Sequence, residues 1–203
     1  MTFVKWITCE VDDHDGFDAA QRRWSAIAGT PGLIVQTGGW DSKSPTACVL
    51  GCWTDAGTYK TFMEQRHDQV FGDSGQQRTY RSIEVATGES ELTMPGTLGK
   101  GALLRVADCQ VRPERREHFV TVQREVWIPR MAVAEGMLGG LFSRLGEDRY
   151  LVTSWWASAD AHRRYGQEDV PALRDTAGAG DDLVSLRGYA VPLEPEWLVW
   201  GAW

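Results

Sequence analysis

The chain has 203 residues, of which 42% are hydrophobic and 24% charged, and its formal net charge is −7. That length holds one large domain or two of about 100 residues, with the composition of an ordinary globular protein. Acids and bases are intermixed with no basic stripe, which excludes a nucleic-acid surface, and no apolar run of about 18 residues exists to span a membrane.

The opening Met1-Thr2-Phe3-Val4-Lys5-Trp6 enters a strand pattern directly, so no signal peptide and a cytoplasmic location are expected. Val4 to Val11 reads as a strand. Asp13 to Ala28 places Phe17, Ala20, Trp24 and Ile27 on one helical stripe. Thr30-Pro31-Gly32 is a turn, Leu33 to Thr37 a strand, and Gly38-Gly39-Trp40 through Ser44-Pro45 a hairpin loop. Ala47 to Trp53 is the next strand. Asp55 then caps a helix with Tyr59, Phe62, Met63, His67 and Val70 on one face, and Tyr80 to Ala86 is the fourth strand.

Thr87 to Gly101, rich in Gly, Ser and Thr and holding Pro95, is expected as a linker. The order then repeats. Ala102 to Val111 is a strand and Pro113 to Trp127 a helix. Met137 to Phe142 and Tyr150 to Trp156 are strands. Ser158 opens a short helix carrying His162 and Tyr165, Pro171 to Asp182 is looser, and Leu183 to Val191 is the last strand. Trp6-Ile7-Thr8-Cys9-Glu10-Val11 and Val106-Ala107-Asp108-Cys109-Gln110-Val111 mark the same place in two copies. The predicted fold class is α+β: two tandem ferredoxin-like β-α-β-β-α-β repeats, residues 1–86 and 102–193, forming a pseudo-dimeric α+β barrel within one chain. Residues 87–101 are the linker and 194–203 a Trp-rich tail.

That pattern resembles the dimeric α+β barrel superfamily in topology and length. The superfamily includes antibiotic-biosynthesis monooxygenases, haem-degrading monooxygenases and chlorite dismutase-like proteins. Val4-Lys5-Trp6-Ile7, with Gln21, Trp24, Pro31-Gly32 and Gln36-Thr37-Gly38-Gly39-Trp40, is similar more specifically to the YdbC-type bacterial proteins, which implies no activity. The haem-degrading branch implies an Asn-Trp-His set, and this chain contains no asparagine. Neither His118 nor His162 sits in the local motif of the haem-ligating branch, so no cofactor is expected.

A metal site is not expected either. Cys48 and Cys52 lie on one strand face roughly 13 Å apart, too far for one zinc ion, and Cys9 and Cys109 belong to separate copies. All four read as buried thiols.

Strand alternation divides the first strand of each copy into two faces. Ile7-Cys9-Val11 suits the helices. Thr8, Glu10, Asp108 and Gln110 are then expected to face the barrel interior, where polar groups imply a wet cavity or a site, unless they reach solvent at strand ends. His67 is the candidate general base, because histidine is readily poised near neutral pH; a helix-end packing role is the alternative. The aligned residue of the second copy is Val170. Gln36 and Trp40 flank the Gly38-Gly39 turn, which would let a ligand approach the backbone, with Gln36 orienting it and Trp40 as a lid. Trp53 would wall the pocket.

The tail Glu194-Pro195-Glu196-Trp197-Leu198-Val199-Trp200-Gly201-Ala202-Trp203 is expected to fold back over the barrel, with a homo-oligomer contact or a plug of the cavity as the alternatives. The functional expectation is a cofactor-independent, monooxygenase-like enzyme on a small aromatic or polyketide-like substrate. Its catalytic residues would be His67 and Glu10, and its ligand-binding residues Gln36, Trp40, Trp53, Thr8 and Asp108. The alternative is a non-enzymatic small-molecule-binding or stress-associated protein with the same cavity.

Overall fold

A computed structural model describes residues 1–202, the side chain of Ala179 excepted. Trp203, counted above in the tail, lies outside the described residues. The chain forms two compact units, Met1–Glu89 with the C-terminal residues from Val191, and Ser90–Ala190.

Unit 1 contains strand β1 (Phe3–Val11), helix α1 (His14–Arg22), β2 (Leu33–Trp40), β3 (Thr46–Trp53), α2 (Ala56–Phe62), α3 (Asp68–Ser74) and the start of β4 (Tyr80–Met94). Its strands run in the order β4-β1-β3-β2, the ferredoxin-like arrangement, with antiparallel neighbours. Asp13 caps α1 by accepting from the Gly16 N–H at 3.0 Å, and Asp55 caps α2 by accepting from the Thr58 N–H at 2.8 Å. The predicted first helix tightens to a 3-10 turn over Arg23–Ile27, which still buries Trp24 and Ile27. The second is split by a π-helical turn at Met63–His67.

Unit 2 repeats the plan with β5 (Leu103–Val111), α4 (Arg116–Val122), α5 (Ile128–Ala132), β6 (Met137–Arg144), β7 (Arg149–Trp156), α6 (Ala159–Glu168), α7 (Val170–Ala177) and β8 (Leu183–Pro192), in the strand order β8-β5-β7-β6. A π-helical turn at Gln123–Trp127 joins α4 to α5. Ser158 caps α6, accepting from the Ala161 N–H at 3.1 Å.

Three expectations need correction. Residues 87–94 are not linker but the second half of β4, which ends with Met94 buried beside Phe142 in the unit 2 core. Part of the segment Pro171 to Asp182 is helical, because Pro171 stands in the first turn of α7, where its missing N–H costs nothing. Gly38 and Gly39 are strand residues rather than a loop, and what approaches them is the chain's own end. Short strand β9 (Val199–Trp200) pairs with β2, Val35 opposite Trp200 and Gln36 opposite Val199. The Glu194 N–H donates to the Gly38 carbonyl at 2.9 Å, and a Cβ on Gly39 would stand 2.0 Å from the Pro192 carbonyl oxygen.

This return seats Trp197, which is wholly buried, against Phe17 and Trp40, with its indole N–H donating to Asp18 at 2.8 Å. Trp197 is thus taken out of any exposed patch. Trp197→Ala is expected to cost about 3–5 kcal/mol and to lower the thermal midpoint by about 10 °C in calorimetry.

Candidate functional site

The pairing of β1 sets which side chains face the helices of unit 1. Lys5 lies opposite Gly51 and Thr87, Ile7 opposite Val49 and Val85, and Cys9 opposite Ala47 and Ile83. Lys5, Ile7, Cys9, Val49, Ile83 and Val85 consequently share one face, and together with α1, α2 and the π-helical turn they enclose a cavity of about 220 Å³. Gln36 enters the same face from β2, where its cross-strand partner is again Gly51. Lys5 and Gln36 thus flank a residue with no side chain, which leaves the strip between them open.

The cavity is rich in donors. Burial pulls the Lys5 ammonium down from an ordinary 10.5 to about 8; Lys5 Nζ lies 5.9 Å from the centre of the Tyr59 ring. Burial pushes Cys9 up to about 12, so it stays a thiol. Gln76 accepts from the Trp24 indole N–H at 2.9 Å and donates to the Gln21 carbonyl oxygen at 2.7 Å. The chain of bonds stops there: among the described residues the buried Nε2 of Gln21 has no acceptor, and neither has the buried Nε2 of Gln36. An unpaired buried amide is costly, and two on one cavity favour an oxygen-bearing ligand.

His67 closes the π-helical turn and lines this cavity. Its ring stacks on Phe71 with centroids 5.8 Å apart, and Trp24 lies at a similar distance. Nδ1 lies 3.0 Å from the Asp68 carboxylate, which can only accept, so in a neutral ring that contact assigns the N–H to Nδ1 and the lone pair to Nε2.

Of the residues expected at a site, the structure brings together Gln36 and His67. Glu10 sits at the exposed end of β1, paired with Arg81 at 3.0 Å, which holds its carboxyl below the usual range. Thr8 lies on the same face as Glu10, away from the cavity. Asp108 in unit 2 is buried between Arg149 at 2.6 Å and Arg187 at 3.0 Å, so its burial reflects ion pairing. Trp40 stacks on His14 with ring centroids 3.7 Å apart, held by Phe17 and Trp197 rather than standing as a lid. Trp53 packs behind the cavity against Phe62 and Tyr59. Sequence reasoning placed the polar interior on the Thr8-Glu10 face; the cavity is on the other. Lys5 was legible as the one charge on an otherwise apolar face. Gln21 and Gln76, brought together from positions 55 residues apart, carried no such signal.

Residues 3–87 match a domain of unknown function, DUF4937. The YdbC protein of Bacillus subtilis strain 168 is 33% identical over 93 residues, 43% of this chain and 78% of YdbC. The crystal structure of a proposed monooxygenase from Fusobacterium nucleatum is similar with a TM-score of 0.75 at 9% identity, covering 95% of this chain and 92% of that one. Another, from Lactobacillus acidophilus, has a TM-score of 0.74 at 13% identity and covers 100% and 98%. At such identities these two likenesses are of fold, and they extend over both ferredoxin-like repeats. The sequence match is closer in kind: the chain belongs to the YdbC family and carries the DUF4937 domain in its first repeat.

Proposed function

We propose that the unit 1 cavity takes a small hydroxylated aromatic, ionises it and lets the anion react with dioxygen without a bound cofactor. The observation that carries this reading is the convergence of one base, one desolvated cation and two unpartnered amide donors on a single cavity. His67 Nε2 takes the phenolic proton. The Lys5 ammonium and the Gln21 and Gln36 amides hold the oxygen on which negative charge develops, in a place where low polarity strengthens each contact. Ile7, Trp24, Met63 and Phe71 wall the ring and limit water. A volume of about 220 Å³ falls below the ~300 Å³ at which drug-sized pockets begin, which favours one or two rings. The likeness in fold to proposed monooxygenases supports the same class.

Oxygen uptake with 1-naphthol tests this. His67→Ala is expected to lower the rate about 100-fold or more while leaving the protein folded. Quenching of tryptophan fluorescence by 1-naphthol with no oxygen uptake would instead make the cavity a binding site without turnover.

The pH dependence follows from Lys5. A phenol ionised throughout the range, such as 2,4-dinitrophenol, is expected to bind below pH 8 and to lose affinity as Lys5 deprotonates through about 8, and Lys5→Arg should keep the affinity well above that point. Stability moves the other way. The folded value of about 8 lies below the unfolded 10.5, so the unfolded chain binds the extra proton between them and Lys5 makes stability rise with pH over that window. Lys5→Met should remove that rise and stabilise the protein at neutral pH, read by denaturant titration.

A further inference from the structure

Unit 2 holds its own cavity between sheet and helices, larger at about 400 Å³ and differently furnished. Arg105 stands where unit 1 has Lys5, and Trp156 lines the wall together with Trp127, Phe119 and Met131. Tyr165, 6% exposed, also lines it, and among the described residues its buried hydroxyl has no hydrogen-bond partner. Trp156 packs against both Tyr165 and His162, with ring centroids 5.2 and 5.3 Å away. Burial and the charge of Arg105 pull His162 down to about 4, so it is neutral near pH 7 and a weak base. Burial raises the Tyr165 phenol, which stays protonated and can donate.

We infer that unit 2 is a second ligand site, distinct from the unit 1 cavity, that holds an uncharged aromatic ketone or quinone of two or three fused rings without turning it over. The flat ring system lies among Trp127, Trp156 and Phe119, and its carbonyl oxygen accepts from the Tyr165 hydroxyl. Three features select this class. The volume falls in the range of drug-sized ligands, which admits more than one ring. The orphaned hydroxyl needs an acceptor. Of the charges on the lining, Asp175 and Arg174 are opposite in sign, and the Arg105 guanidinium donates to the Val106 and Tyr189 carbonyl oxygens, so an uncharged ligand fits. Turnover is not expected because the base proposed for unit 1 has no counterpart here: Val170 stands at the place aligned with His67, and His162 is a poor proton acceptor at neutral pH.

The test is equilibrium binding of 2-acetylnaphthalene to the full chain by calorimetry, with 2-ethylnaphthalene, which lacks the acceptor, and 2-naphthoate as comparisons. The ketone is expected to bind about 10-fold tighter than the hydrocarbon, and Tyr165→Phe to erase that difference while leaving hydrocarbon binding unchanged. Lys5→Met and His67→Ala, in the other unit, should leave ketone binding unaltered. Equal affinity of ketone and hydrocarbon for the wild-type chain, tighter binding of 2-naphthoate, or dependence on Lys5 or His67 would each overturn the inference. The ketone–hydrocarbon comparison in the wild type stands even if Tyr165→Phe does not fold.

Discussion

The alternation of β1, locked by its two neighbours, decides what unit 1 can do. Lys5 pairs across to Gly51 and Thr87, and Cys9 to Ala47 and Ile83. A slip of one residue would turn Lys5, Ile7 and Cys9 away from the helices and bring Trp6, Thr8 and Glu10 in their place. That would bury a carboxylate now paired with Arg81 and strip Trp6, 2% exposed in the native register, of its native packing. The slip is thus strongly disfavoured, and the desolvated ammonium of Lys5 is an enforced consequence of the correct pairing. The protein tolerates that cost because the same face offers Tyr59 and an apolar enclosure in which a charge is useful.

The two repeats use one frame for different chemistry. Each places a helix-facing strand triplet, Lys5-Ile7-Cys9 or Arg105-Ala107-Cys109, against a π-helical turn, a feature common near functional sites. Yet the turns fall in different helices. In unit 1 the turn follows α2 and ends at His67, whereas in unit 2 it follows α4 and carries Gln123 and Trp127 into the cavity. The surroundings of their histidines diverge with them: unit 1 places one beside a carboxylate, and unit 2 holds one neutral by burial and a nearby arginine. Duplication gave the two units one fold, and substitution at a few cavity positions gave them different polar groups.

Much of this was legible in the chain itself. The doubled β-α-β-β-α-β order, the Asp55 and Ser158 caps and the helix-facing side of β1 all follow from local pattern, because period and capping chemistry act over a few residues. His67 and Gln36 could be singled out, since one is a titratable group on an apolar helix face and the other lies beside the glycines of β2. What failed was any inference that needed a distant partner. Asp108 looked like an interior polar group, but Arg149 and Arg187, 41 and 79 residues away, account for its burial. The glycines Gly38 and Gly39 signalled a close backbone approach correctly, yet the approaching group was the segment from Pro192 to Trp197. Local rules report that space is needed and leave open what fills it.

The central claim is that the unit 1 cavity, between Lys5 and Gln36, is where ligand sits. Gly51 separates those two side chains, and its backbone lies outside the left-handed region, with a Cβ meeting only Trp53 and Lys5 at 3.5 and 3.9 Å. A β-branched side chain there suits a strand and grows into the strip where the ligand would lie. Binding of 4-nitrophenolate to Gly51→Val, measured by fluorescence quenching alongside thermal unfolding, is the most direct measurement. The account predicts an unfolding midpoint near that of the wild type and affinity reduced at least about 10-fold, a loss of some 1.4 kcal/mol. A folded Gly51→Val protein that binds as the wild type does would contradict it.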